Sequence, residues 1–281
     1  WNFIAVIDAI AVTMEEELIM QLTKHHGLEN DFLVALLDEE PHNLSELAAR
    51  ICNRRTGIGA DGLLLGLPGG NGVDLTMLLR NADGSVAEMS GNGIRCLAQA
   101  YAMANKMSNA SLLIETAGGK RRVVIECDGP LAQVTVEMGR VKSGPAIPDA
   151  IQIDAGSEMI ATVDLGNPHL VILCDDLAEV DISNLGPRYE SLFVEGINVE
   201  WVRVASAETS TLEMLVWERG VGVTQACGTG ATAAAVLSNR WGLVGDDVEV
   251  DMAGGKVRVV VAEEPILIGP ASYTADIEFL L

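Results

Sequence analysis

The chain has 281 residues, of which 49% are hydrophobic and only 4% aromatic, and its 40 acidic and 18 basic side chains give a net charge of -22. This length allows two domains of about 100 to 200 residues each. The negative charge repels phosphate backbones and anionic lipid surfaces, so we expect neither nucleic acid nor a membrane as a partner. The five cysteines form no C-x-x-C pair, and their odd number argues against a disulfide framework, which favours a cytoplasmic location.

The first nineteen residues, WNFIAVIDAIAVTMEEELI, are apolar and then acidic. They lack the basic start of a signal peptide and are too short to span a bilayer. We interpret residues 1–19 as an extension that precedes the first domain, with Met14 or Met20 as a candidate translation start.

The rest of the chain alternates predicted strands with two helices. Strand patterns between Gly, Asn and Asp residues occur, in chain order, at 112–127, 132–138, 161–173, 198–206, 211–218 and 248–261. The alanine-rich runs IRCLAQAYAMANK (94–106) and ATAAAVLSNRW (231–241) predict helices, each entered through Gly-x-Gly. Because these helices are almost entirely apolar, we expect each to be buried inside a mixed, barrel-like sheet. The predicted fold class is therefore α+β.

The two halves of the chain repeat one another. Residues 81–98 align with 218–235 at an offset of 137, which superposes Ser90 on Cys227 and Asn81 on Glu218. The same offset aligns GLENDFLVAL (27–36) with DLGNPHLVIL (164–173), and an offset of 136 aligns two AGGK segments. So long a period indicates two fused domains. We predict an N-terminal half at 20–134, joined by a final strand at 271–281, and a C-terminal half at 135–270.

Ser90 and Cys227 each precede a glycine-rich helix entrance. The first turn of a helix offers free N–H groups and a partial positive charge, which can hold a carboxylate, and flanking glycines let the ligand approach closely. The same field lowers the pKa of a cysteine thiol. The position of Cys227 therefore predicts a base that is active near neutral pH.

Several motifs in this order resemble the diaminopimelate epimerase family: HGLEND (26–31), GIGADG (57–62), NADGSVAEMSGNGIRC (81–96), GNPH (166–169), NVE (198–200) and WERGVGVTQACGTG (217–230). The resemblance extends from about Lys24 to Leu281. It implies two pseudo-symmetric domains, each with a central helix, and a cofactor-independent isomerase that interconverts LL- and meso-diaminopimelate. In that family one cysteine thiolate removes the α-proton while an opposite thiol returns a proton to the other face.

The resemblance also implies roles for individual residues. Cys227 is one catalytic thiol and Ser90 stands where the other belongs, Glu218 faces the α-ammonium, and His169 lies next to the catalytic pair. The α-carboxylate rests on Gly91, Asn92, Gly228 and Thr229, and the residues that hold the remainder of the substrate are Asn30, Asn81, Asn167, Asn198 and Arg219. No metal site is expected, since His25, His26 and His42 lack ligand spacing. A homodimer is one option for assembly.

Two residues depart from the family pattern. Glu29 replaces a glycine, and Ser90 replaces a cysteine although a serine hydroxyl is a weak base unless a neighbour activates it. Cys96, six residues later, points elsewhere on the helix and does not compensate. Three interpretations of Ser90 stay open: a working epimerase in which His169 or Glu88 activates it, an introduced Cys→Ser change, or a lineage with altered chemistry. The competing functions are a lyase of the same fold that uses a single thiol, and a non-catalytic amino-acid-binding protein.

Overall fold

The computed structural model describes residues 19–87, 89–154 and 159–281. Most of the predicted N-terminal extension, with Met14, lies outside the described residues, as does Glu88. Met20 lies inside the first strand. Within the described ranges, no helix is both long and apolar enough to cross a lipid bilayer.

The first half contains seven strands and two helices. In chain order these are β1 (Ile19–Gly27), β2 (Asn30–Leu36), α1 (Leu44–Ile51), β3 (Gly62–Pro68), β4 (Leu75–Asn81), α2 (Gly91–Ala104), β5 (Asn109–Thr116), β6 (Gly119–Asp128) and β7 (Leu131–Glu137).

The second half begins with a short strand and ends with the longest one. Its elements are β8 (Lys142–Ser143), α3 (Asp149–Asp154), β9 (Ile160–Asp164), β10 (Pro168–Leu173), a 3-10 turn (Leu177–Glu179), α4 (Ile182–Glu190), β11 (Asn198–Ser206), β12 (Thr211–Glu218), β13 (Gly222–Val223), α5 (Gly228–Arg240), β14 (Asp247–Met252), β15 (Gly255–Val260) and β16 (Ile266–Leu280).

The sequence repeat is a structural repeat. Strands β2 and β3 pair in parallel, as do β10 and β11 at the equivalent place in the second half. The parallel pair β4–β5 corresponds in the same way to β12–β14. Helix α2 lies inside the first set of strands and α5 inside the second, and both helices are buried along most of their length. The predicted α+β fold with two pseudo-symmetric halves is confirmed.

Outside the barrels, equivalent helices cover equivalent faces. Helix α1 buries Leu44, Leu47, Ala48 and Ile51 against the first half. Helix α4 buries Tyr189 against the second half, where its ring stacks on Trp201. Because each helix has an apolar side toward its sheet and a polar side toward water, it shields one barrel wall from solvent.

Strand β16 belongs to both halves. Its first residues pair with β15 of the second half and also with β7 of the first half. From Ser272 to Leu280 it pairs with β1 and so closes the first barrel. In the reciprocal position, β8 follows β7 and pairs with β9 of the second half. The chain therefore crosses between the barrels twice: β8 joins the second barrel just after β7 of the first, and the last part of β16 returns to the first barrel.

Glu29 lies in the tight turn between β1 and β2. Its φ is +66°, in the left-handed region that favours glycine. The equivalent residue of the second half is Gly166, whose φ is +102°. The turn therefore requires the backbone freedom that the glycine of the family pattern supplies.

Candidate active site

Ser90 and Cys227 occupy equivalent positions in the two halves. Ser90 is the N-cap of α2, and its Oγ accepts a hydrogen bond from the Gly93 N–H at 2.9 Å. Cys227 is the N-cap of α5, and its Sγ accepts from the Gly230 N–H at 3.4 Å. Both residues have extended backbones with nearly equal angles. The predicted helix entrances are therefore present, with one candidate proton-transfer side chain on each.

The two entrances touch one another. A Cβ placed on Gly91 would lie 3.0 Å from the Cα of Gly228, and a Cβ on Gly228 would lie 3.0 Å from the Cα of Gly91. The Leu267 side chain approaches both positions equally closely. Only glycine permits this contact, which brings the free N–H groups of both helices to one place.

A cleft of about 230 Å³ opens between the halves beside these entrances. Its wall contains seven of the residues predicted from the sequence: Asn30, Asn81, Ser90, Asn167, Asn198, Glu218 and Arg219. The first three belong to the N-terminal half and the last four to the C-terminal half. The cleft is therefore composite, as the repeat suggested.

The other six predicted residues lie behind the wall: Cys227, Gly91, Asn92, Gly228, Thr229 and His169. Hydrogen bonds connect four of them to the wall, directly or through one another: Asn92, Thr229, His169 and Cys227. Asn92 Nδ2 donates to Asn30 Oδ1 at 3.2 Å, and Asn167 Nδ2 donates to Thr229 Oγ1 at 3.4 Å. The Cys227 thiol, only 4% exposed, lies 3.4 Å from the same Thr229 hydroxyl.

His169 is held by a buried carboxylate that the sequence analysis missed. Its Nδ1 lies 2.6 Å from Glu200 Oε1, and its Nε2 lies 3.1 Å from Asn167 Oδ1. Burial raises the pKa of Glu200, while the neighbouring His169 opposes that rise. Glu200 belongs to the NVE motif from which only Asn198 was selected. The signal was present, because a glutamate amid the apolar residues of a strand needs a partner.

The carboxyl group of Glu218 has a pKa close to neutral pH. Burial raises its pKa to about 7, while the hydrogen bond from Thr224, whose Oγ1 donates to Glu218 Oε1 at 2.5 Å, and the nearby His169 act in the opposite direction. A carboxyl with this pKa readily becomes an anion when an ammonium group arrives beside it.

Without a bound substrate, the surroundings of Cys227 oppose the ionised form of its thiol. Burial raises its pKa well above the usual value, and the carboxylates of Glu218 and Glu200 raise it further. The Thr229 hydroxyl and the Gly230 N–H favour the thiolate but have smaller effects. These effects favour the thiol form of Cys227, which can donate a proton. The sequence analysis located the helix entrance and Glu218, but neither the burial of these groups nor the presence of Glu200 beside them.

The far end of the cleft is built around Asn198 and Arg219. Asn198 Oδ1 accepts from the Arg219 backbone N–H at 3.0 Å, and its Nδ2 donates to the Pro168 carbonyl at 2.8 Å. Glu190 of α4 accepts from the Gly220 N–H at 2.9 Å and fixes the loop that carries Arg219. These bonds hold the Asn198 amide and the backbone that carries Arg219 in place beside the cleft.

Asp61 is a second residue that the sequence analysis missed. It lines the cleft and accepts a 2.9 Å hydrogen bond from Asn30 Nδ2, and Arg54 donates to its other oxygen at 2.8 Å. The repeat could have revealed it, because the offset of 137 superposes Asp61 on Asn198. Cys96 is fully buried inside α2, where burial raises its pKa to about 12, so it does not act in the cleft.

Within the described ranges, no group of three or more His, Cys, Asp or Glu side chains is arranged to hold a metal ion. The groups that converge on the cleft are amides, hydroxyls, carboxyls, one thiol, one imidazole and one guanidinium. Such a set can bind a zwitterionic amino acid and transfer protons to and from it.

The fold is shared by racemases, epimerases and related enzymes. A hydroxyproline epimerase from Agrobacterium vitis superposes with a TM-score of 0.69 at 16% identity, covering 94% of this chain and 93% of that one. A phenazine biosynthesis protein of the PhzF family from Bacillus anthracis superposes with a TM-score of 0.70 at 13% identity, covering 94% of this chain and all of that one.

Sequence similarity defines the family more narrowly. The family model for diaminopimelate epimerase matches residues 22–143 and 161–274. The diaminopimelate epimerase of Carboxydothermus hydrogenoformans is 40% identical over 93% of this chain and 100% of its own length. That of Nostoc punctiforme is 35% identical over 90% of this chain and 97% of its own length. The chain belongs to the diaminopimelate epimerase family.

Proposed function

We propose that this enzyme is a cofactor-independent isomerase that interconverts LL- and meso-diaminopimelate by removing and returning the α-proton. The observation that carries the proposal is the contact between two helix entrances at Gly91 and Gly228, with Ser90 and Cys227 at matching positions beside one cleft. Family membership adds the identity of the substrate.

The paired entrances would bind the α-carboxylate. The N–H groups of the first turns of α2 and α5, at Gly91, Asn92, Gly228 and Thr229, have no earlier helical carbonyl to bond. Two aligned helix dipoles at one point attract an anion more strongly than either does alone. Fixed donors there also stabilise the negative charge that develops when the α-proton leaves.

The α-ammonium would face Glu218, whose anion forms as the ammonium arrives. Asn30, Asn81, Asn167, Asn198 and Arg219 would hold the remainder of the substrate, including its distal amino-acid group. His169 would keep Asn167 and the Cys227 region in place through its bonds to Glu200 and Asn167.

Inversion at the α-carbon needs one proton-transfer group on each face of a planar carbanion. Cys227, whose surroundings favour the thiol, would supply a proton to one face and remove it in the reverse direction. Ser90 is the group at the matching position on the other half. His169 is not placed to activate Ser90, because its Nδ1 contacts Glu200 and its Nε2 contacts Asn167. The Ser90 Oγ accepts a hydrogen bond from the Gly93 N–H, which does not make the hydroxyl a stronger base. We therefore assign the slow step to the Ser90 face.

Incubation with LL- or meso-diaminopimelate in deuterated water tests this function. The proposal expects deuterium at the α-carbon and interconversion of the two isomers, with exchange faster than inversion. Loss of water from a hydroxyproline-like substrate would instead identify a lyase of the same fold. Binding of diaminopimelate without any exchange would identify a non-catalytic binding protein. Either result would reject the epimerase.

Three further features expected from the sequence stay proposals. We place the boundary between the halves near residue 134, the enzyme in the cytoplasm, and its assembly as a homodimer. Sedimentation equilibrium would test the dimer, and fractionation of the source cells would test the location. Limited proteolysis that cuts the chain near residue 134 before elsewhere would support the boundary.

A further inference from the structure

Arg95 lies near the start of α2 and carries a charge to which the proposed function assigns no role. It is fully buried and donates three hydrogen bonds: Nε to the Pro270 carbonyl at 3.0 Å, Nη1 to the Gly91 carbonyl at 2.9 Å, and Nη2 to Asn92 Oδ1 at 2.7 Å. All three acceptors are neutral. Within the described part of the chain, no carboxylate pairs with this guanidinium.

The guanidinium occupies a slot that the backbone leaves open for it. A Cβ on Gly27 would lie 2.9 Å from Arg95 Nη2, and a Cβ on Gly269 would lie 3.3 Å from Arg95 Cζ. Burial lowers the pKa of Arg95 to about 10, so the group remains a cation at neutral pH. A buried cation without an anion is unfavourable unless another requirement retains it.

Through Asn92, Arg95 fixes the join between the two entrances. Because Arg95 holds the amide oxygen of Asn92, the amide nitrogen is directed to the Ala226 carbonyl at 2.9 Å and to Asn30 Oδ1 at 3.2 Å. Ala226 directly precedes Cys227. One chain of hydrogen bonds therefore runs from the buried cation to the thiol-bearing entrance of the other half.

The second half shows that neutral chemistry satisfies the same backbone group. The offset of 137 superposes Arg95 on Thr232, whose hydroxyl donates to the Gly228 carbonyl at 2.9 Å. Gly228 is the counterpart of Gly91. The neutral Thr232 side chain therefore donates to the same backbone carbonyl of its helix as the charged Arg95 side chain does in α2. The cation at position 95 is therefore not required by this helix architecture.

We propose that Arg95 is a positioning residue that supplies the buried counter-charge for the substrate carboxylate at the joined helix entrances, acting through Asn92 and the first turn of α2. The inference rests on the proposed function for the identity of the carboxylate. It adds a cation behind the N–H groups, which strengthens their hold on an anion in an environment of low polarity.

The test compares two reagents that alkylate Cys227 and differ only in charge. Iodoacetate and iodoacetamide each form a carbon–sulfur bond as iodide leaves with the electron pair of the carbon–iodine bond, and the thiol proton goes to solvent. The ratio of their rates at one cysteine cancels any change in thiol ionisation. Peptide mass spectrometry measures this ratio at Cys227 and at Cys127, a half-buried reference thiol in the same molecule.

The iodoacetate-to-iodoacetamide ratio at Cys227 is compared between the unaltered protein and each variant, with Cys127 as the internal reference, because Glu218 and Glu200 beside Cys227 also act on a charged reagent. Arg95→Gln, which keeps hydrogen-bond donors without charge, lowers the ratio at Cys227 by on the order of tenfold, the effect expected of one nearby charge. Arg95→Lys, which keeps the charge without the fork, retains most of it. Arg121→Gln removes another buried arginine, which binds the Leu165 and Gly118 carbonyls, and leaves the ratio unchanged.

Equal ratios in Arg95→Gln and the unaltered protein would overturn the proposal, as would equal losses in Arg95→Lys and Arg95→Gln. Where Arg95→Gln does not fold, a ratio at Cys227 in Arg95→Lys about tenfold below that of the unaltered protein would overturn the proposal instead. The assay needs no diaminopimelate. A failure of isotope exchange would therefore reject the proposed function without deciding the role of Arg95.

Discussion

The two helix entrances have nearly the same backbone and opposite electrostatic surroundings. Beneath Cys227 lie His169, Glu200 and Glu218. At the equivalent positions of the other half stand Phe32, Leu63 and Asn81, none of which is charged. Beneath Ser90 lies the buried cation Arg95, whose counterpart is the neutral Thr232.

This difference shows what each part of the repeat does. The repeated features, the glycine contact and the two N-caps, build a symmetric pair of helix entrances, where we propose that the carboxylate binds. The features that differ place the carboxyl groups of Glu200 and Glu218 beside Cys227 and the fixed positive charge of Arg95 beneath Ser90. An α-amino acid has a carboxylate on one side of its α-carbon and an ammonium on another, so a site for it cannot be fully symmetric.

The largest change should follow from making the two N-caps alike. Ser90→Cys restores a second thiol, and we expect it to raise the rate of inversion about 10²- to 10⁴-fold, the usual contribution of a well-placed acid–base group. Circular dichroism of the diaminopimelate isomers follows inversion directly. Ser90→Ala is the control, which should lose inversion but keep α-exchange on the Cys227 face. An unchanged rate in Ser90→Cys would show that Ser90 is not the limiting group.

The symmetric part of the site should respond symmetrically. Gly91→Ala and Gly228→Ala each force a Cβ to 3.0 Å from the opposite helix, and we expect each to lower the free energy of unfolding by about 1–3 kcal/mol. Urea denaturation measures the loss. Gly70→Ala is the matched control, because an added Cβ there has no atom within 4 Å. A loss in one half only would show that the entrances do not share this contact equally.

The acidic surroundings of Cys227 should appear as a pH dependence of binding. Glu218 is neutral below its pKa of about 7 and anionic above it, so its attraction for the substrate ammonium develops as pH rises. We expect affinity for diaminopimelate to increase about tenfold from pH 6 to pH 8, as calorimetry would show. Glu218→Gln should remove that increase. Glu213→Gln, on the opposite face of the same strand β12, should not. An increase that persists in Glu218→Gln would assign it to another group.

The repeat made much of this architecture predictable. An offset of 137 carries β2 onto β10, β4 onto β12 and α2 onto α5, because both copies place the same apolar pattern between the same glycines. The pKa of Cys227 was not predictable in the same way. It depends first on burial of the thiol and then on Glu218 and Glu200. Glu200 lies 27 residues away in another strand, and folding brings it near the thiol. Local sequence located the site, and long-range packing determined its charge.

The smallest expected effect concerns the first turn of each half. Glu29 has a positive φ where its counterpart is Gly166, so Glu29→Gly relieves strain and should raise the free energy of unfolding by about 1 kcal/mol. Thermal or urea unfolding would detect the gain. Glu29→Ala is the control, since it removes the charge but keeps a Cβ at the same φ. Equal gains in both variants would attribute the effect to charge.

The pairing of β16 with β1 also determines when the molecule can be completed during synthesis. Strand β1 leaves the ribosome well before its partner at 272–280, because strands β2 to β15 are made between them. The first barrel therefore stays open, with a strand edge exposed, until β16 has been made. The first half cannot be completed independently of the second, so the joined entrances and their cleft form together as one late event.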